Sequence, residues 1–117
     1  MSDILAQAGK PADRAVMVTL CGDSGMGKTS LAATFPKPIF IRAEDGMQAI
    51  PVASRPNALP LVASVDQLWE QLTALIHEEH DYQTVVIDSV TALERLFMAS
   101  VLASDPKAKS INSALGG

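Results

Sequence analysis

Gly22, Asp23, Ser24, Gly25, Met26, Gly27, Lys28 and Thr29 follow one another in the pattern G-x-x-x-x-G-K-[ST], and that spacing suits the binding of a triphosphate. Glycines at 22, 25 and 27 let the main chain take angles closed to other residues, so several backbone N–H groups can converge on one anion. Lys28 adds a mobile positive charge for the β- and γ-phosphates. Thr29 offers a hydroxyl to a magnesium ion, and Ser30 continues the contact set into the first helical turn. A glycine-rich turn with a surface lysine is the bland alternative. With glycine near about 7% of average usage, the full pattern arises by chance in well under about 1% of chains this long.

Two acids have the placement to complete such a site. Asp88 closes the apolar run Thr84, Val85, Val86, Ile87, where a carboxylate can help hold the magnesium of a bound triphosphate; its alternative is a helix cap. Glu44 leaves the end of another apolar run, Pro38 to Arg42, and can orient or deprotonate an attacking water; its alternative is a surface acid in a turn. Asp45 competes with Glu44 for that role. Arg42 fits a salt bridge at the sheet end better than a phosphate contact. Ser89 suits either a bond to Asp88 or a cap.

These side chains need elements to position them. Residues 15–21 are apolar and β-prone and lead into the glycine loop, and a helix follows the loop until Pro36. Residues 38–42 read as a second strand, 47–60 as a loop or short helix, and 61–63 as a brief further strand. Ser64 with Gln67 forms a capping-box pattern. Val65, Leu68, Trp69, Leu72, Leu75 and Ile76 then recur at helical spacing, which places Trp69 in the core. Residues 84–88, apolar on both faces, suit a buried parallel strand, and a last helix spans about residues 91–102. Alternating strands and helices predict an α/β domain whose parallel strands end at one ligand-binding edge.

Composition narrows the function classes. The 117 residues are the size of one domain, with residues 1–14 expected as a flexible N-terminal segment and 107–117 as a disordered tail. A net charge of −4 and a pI near 4.9 exclude a broad basic surface, so any nucleic-acid contact is local or supplied by an assembly. Aromatic residues make up only 4%, too few for a visible stacking platform. Cys21 cannot form an internal disulfide and reads as a small buried strand residue. His77 and His80, among Glu78, Glu79 and Asp81, read as a solvated helix end rather than a metal site. No signal peptide and no apolar run near the roughly 18 residues of a membrane helix is visible, so the expected location is cytoplasmic.

Taken together, residues 22–29, 40–46 and 85–94 resemble the phage-borne ATP-binding proteins of RecA/RadA-like type, also grouped as phage AAA-like ATPases, over about residues 16–117. The resemblance implies a RecA-like P-loop NTPase fold, a three-layer sandwich on a mainly parallel sheet. It implies Lys28 and Thr29 as phosphate and magnesium contacts of a Walker A loop, Asp88 as the Walker B acid of the magnesium site, and Glu44 as the catalytic carboxylate. ATP and Mg2+ are then the ligands, single-stranded DNA in recombination or annealing the partner, and a homo-oligomer the working form. Relatives of this type continue with further strands, a γ-phosphate sensor and DNA-contacting loops. The sheet is therefore expected to be incomplete at its C-terminal side, with an uncovered apolar edge. Two rivals share the loop: a small P-loop kinase, which needs an acceptor pocket and an arginine-rich lid, and an ATP-switched assembly module without turnover.

Overall fold

Ile39, Phe40 and Ile41 are the most deeply buried side chains of the protein, at 2%, 0% and 0% exposure, and the sheet is built around them. They form β1 (Pro38–Arg42), the middle strand of a three-stranded sheet in the order β2-β1-β3. The computed structural model describes residues 3–23 and 25–104. A continuous apolar run suits a strand covered on both faces, and here both neighbours are parallel to it. β2 is short (Asn57–Ala58), but the pairing runs on as Leu59 donates to the Phe40 carbonyl and Val62 to that of Arg42. The strand expected at 61–63 does not form; the strand lies earlier, inside the stretch expected as a loop or short helix, and Val62 is buried beside it. β3 (Thr84–Asp88) pairs with β1 in a register that sets Arg42 opposite Asp88.

Helices cover the two faces. α1 (Lys28–Ala32) brings Ala32 onto Phe40 and Met47 on one side. α2 (Val65–His77) and α3 (Val90–Ser104) bring Leu68 and Leu93 onto Ile41 and Val62 on the other. α2 starts as its capping pattern predicts. The Ser64 hydroxyl accepts from the Gln67 amide at 3.2 Å, and the Gln67 side chain accepts from the Ala63 amide at 2.7 Å.

Several expectations fail. Residues 15–21 form no strand, and Val16 and Met17 are 84% and 95% exposed. An apolar β-prone run becomes a strand only beside an edge it can pair with. The outer edges of β2 and β3 are open, but residues 15–21 pair with neither, and without a partner strand the run stays extended and exposed. Leu20 alone of this run packs against the α1 cluster, and Cys21 is exposed rather than buried. Trp69 is 55% exposed, not core. With about 100° of rotation per residue, Leu68, Leu72 and Leu75 share one narrow stripe while Trp69 and Ile76 fall at its margin.

β3 is an edge strand, as β2 is on the other side, so the buried parallel strand expected at 84–88 is only partly covered. Val85 and Ile87 are 48% and 41% exposed, although their register partners Ile39 and Ile41 are buried. The expected uncovered apolar edge is present among the described residues. The tail expected at 107–117 lies outside them, as does Ser24. No helix among the described residues is long and apolar enough to cross a membrane.

Candidate active site

Parallel pairing in register brings the exits of β1 and β3 to the same edge of the sheet, and α1 begins there. The consequence is a contact that joins residues 59 apart in sequence: the Thr29 hydroxyl donates to Asp88 Oδ2 at 2.8 Å. Thr29 is the second residue of α1, whose first turn is fixed by the Leu31 amide bonding to the Gly27 carbonyl at 2.9 Å.

The loop before α1 has the backbone its glycines were expected to allow. Gly25 and Gly27 take φ of 81° and 89°, in the left-handed region that a side chain disfavours. The Met26 amide bonds to the Asp23 carbonyl at 3.2 Å and closes a turn within the loop. Lys28 folds its ammonium back onto the Gly22 carbonyl, which keeps the positive charge over the loop. Gly22, Asp23, Gly25, Met26, Gly27 and Ser30 are exposed, whereas Lys28 and Thr29 are half-buried.

Asp88 and Ser89 divide the two roles open to them. Ser89 caps α3, its hydroxyl accepting from the Ala92 amide at 3.2 Å. Asp88 is left to meet Thr29, and no side-chain cation pairs with it among the described residues.

The β1 exit turn runs alongside. The Ala43 amide donates to the Asp88 carbonyl at 2.9 Å, so the two exits are tied by backbone. Asp45 pairs with Arg42 at 3.5 Å and accepts from Gln48 at 2.9 Å. Arg42 also donates to the Leu59 carbonyl at 3.3 Å, which makes it the sheet-end bridge it was expected to be. Glu44 is exposed and has no hydrogen-bond or ion-pair partner among the described residues. Of the two competing acids, Asp45 is engaged in structure and Glu44 is free to act on a ligand.

One neighbour escaped the sequence reading. Gly46 lies against both Thr29 and Asp88, close enough that a Cβ on it would stand 3.0 Å from Thr29 Oγ1. Its only local mark is being a glycine two positions after a candidate acid at a strand exit. At the other end of α2, His80 bonds to the Leu75 carbonyl at 2.8 Å and accepts from the Tyr82 amide at 3.1 Å. Both ring nitrogens are thereby used in closing the turn into β3.

A glycine-rich loop whose threonine meets the acid of a parallel strand exit defines the P-loop class of nucleoside-triphosphate-binding domains. The model of the AAA domain family matches residues 14–117, and the chain belongs to that family of P-loop ATPases. No curated protein and no solved structure matches it. AAA domains generally bind ATP with Mg2+. The Thr29 hydroxyl and Asp88 carboxylate fit that ion, because Mg2+ prefers hard oxygen donors and takes one or two carboxylates beside phosphate and water.

Proposed function

We propose that this chain is the ATP-binding and ATP-hydrolysing core of a RecA-like P-loop protein. The observation that carries the reading is the 2.8 Å contact between Thr29 and Asp88, which sets a hydroxyl and a free carboxylate at the head of the glycine loop. In this reading the amides of the loop and the Lys28 ammonium hold the β- and γ-phosphates of the substrate. Thr29 and Asp88 would hold the Mg2+ ion, with the Thr29 hydroxyl donating to Asp88 so that its own oxygen stays aimed. When bound, the ion neutralises charge that builds on the phosphate oxygens. Glu44, unpaired at the β1 exit, orients the attacking water and takes its proton. Asp45, held by Arg42 and Gln48, keeps the turn in place.

The sequence resemblance supports a narrower assignment, a phage protein of recombination or annealing that works as a homo-oligomer on single-stranded DNA. The net charge of −4 favours a local DNA contact rather than a broad one.

Phosphate release from ATP is the test, measured with Mg2+, with and without single-stranded DNA, on the wild type, Lys28→Ala and Glu44→Gln. Expected are loss of nucleotide binding in Lys28→Ala, and retained binding with turnover lowered by about 10²–10⁴ in Glu44→Gln. Release that requires an added phosphate acceptor would instead make the protein a kinase. Tight binding with no turnover would make it a switched module.

A further inference from the structure

Three glycines at the site differ in what they allow. Gly25 and Gly27 have left-handed backbones, with nothing within 4 Å of where a Cβ would stand. Gly46 is the reverse. Its angles, φ −87° and ψ −1°, are open to any residue. Its space is not: a Cβ there would stand 3.0 Å from Thr29 Oγ1, 3.3 Å from Asp88 Oδ2 and 3.9 Å from Thr29 Cβ. The bare Cα of Gly46 therefore faces both oxygens of the hydrogen-bonded pair.

The turn cannot easily lift away from that contact. On one side of it, the Ala43 amide is bonded to the Asp88 carbonyl at 2.9 Å. On the other, Met47 is buried at 3% exposure in the cluster with Phe40 and Ala32. Within the turn, Asp45 is held by Arg42 and Gln48. A side chain at position 46 would thus be accommodated chiefly by separating Thr29 Oγ1 from Asp88 Oδ2.

We propose that Gly46 is a positioning residue, which closes the β1 exit turn onto the Thr29–Asp88 pair so that the turn carrying Glu44 and the cation-holding oxygens move as one unit. The proposal rests on the ATP-binding reading given above. It adds a coupling: occupancy of the cation site is transmitted to the turn that holds Glu44, two residues away.

The experiment titrates Mg2+ against the full chain bound to a fluorescent ATP analogue, for the wild type, Gly46→Ala and the control Gly9→Ala, whose Cβ would meet nothing within 4 Å. Expected for Gly46→Ala is an affinity in EDTA within twofold of wild type and a thermal midpoint within a few degrees of it, because the backbone angles suit alanine and offset part of the cost of parting Thr29 from Asp88. The Mg2+ concentration for half-maximal tightening should rise at least tenfold, and Gly9→Ala should match the wild type throughout. Amide hydrogen exchange in the wild-type chain supplies a measurement that does not depend on the variant folding. Adding Mg2+ to the nucleotide complex should slow exchange at Gly46 and Met47 at least threefold, whereas nucleotide in EDTA should not. An unchanged Mg2+ midpoint in Gly46→Ala, or no Mg2+ effect on those amides, overturns the role of Gly46. A wild-type chain that binds no nucleotide overturns the reading beneath it instead.

Discussion

If Asp88 acts through Thr29, then removing both must cost less than the two separate losses combined. Thr29→Val deletes the hydroxyl, and Asp88→Asn deletes the charge while keeping the shape. Ser89, not Asp88, caps α3, so neither change unseats that helix. Removing the partner that orients a metal ligand typically costs 10–100-fold in metal affinity, and each single variant should weaken Mg2+-dependent nucleotide binding by about that factor. The bond between them is 2.8 Å long, part-buried and accepted by a carboxylate. Hydrogen bonds to charged groups contribute about 1.5–3 kcal/mol, and partial exposure places this one at the lower end. A coupling of about 1.5 kcal/mol is roughly tenfold. The double variant should therefore bind about tenfold more tightly than the product of the single losses predicts. Equilibrium titration of a fluorescent nucleotide at fixed free Mg2+ closes the cycle, and the same titration in EDTA checks that the loop is intact. Losses that add to within about 0.5 kcal/mol would mean the two oxygens work independently, and the geometric argument would be refuted.

Gly27→Ala should lower both the unfolding midpoint and nucleotide affinity. With nothing near its Cβ, the cost is purely conformational, about 1–2 kcal/mol for a left-handed alanine at φ 89°; an unchanged midpoint in a thermal melt would contradict that backbone. Leu68→Ala should cost about 2–5 kcal/mol by emptying the core beneath α2. Trp69→Ala, on the exposed margin, should stay within about 0.5 kcal/mol. Comparable losses in urea melts of these two variants would show that α2 is rotated from the orientation described.

What the sequence disclosed was local. β1 and β3 have the boundaries expected from their apolar runs, because Pro38 opens one and Asp88 closes the other without help from distant residues. Ser64 announced α2 for the same reason. The run at 15–21 looked equally strand-like and formed none, since a strand depends on pairing with a distant segment, and this run pairs with neither open edge of the sheet. Trp69 failed similarly: spacing defines a helix face to within a side chain or two, and the sheet beneath decides how wide a stripe is buried. In the site, residue type alone marked Lys28, Thr29, Asp88 and Glu44. Its place at the strand exit and the resemblance favour Glu44 over Asp45, and the pairing of Asp45 with Arg42 agrees with that preference. Gly46 required the meeting of three segments.

The same reasoning locates the rigid part of the site. Phe40 is fully buried against Ala32 of α1 and against Met47, which follows the β1 exit turn. One side chain in the middle strand thus sets the distance between the helix that carries Thr29 and the turn that carries Glu44. The third party, Asp88, is fixed to the same strand by register and to the same turn through Ala43. Within residues 15–21, Leu20 packs against the α1 cluster and residues 16–18 are exposed. The Thr29 end of the glycine loop is thus tied to the sheet through Asp88, whereas the Gly22 end is tied only within the loop, through Lys28. Substitutions at Phe40 or Met47 should therefore disturb the Thr29–Asp88 pair more than substitutions at the exposed Val16 or Met17, a difference that Mg2+-dependent nucleotide affinity would read.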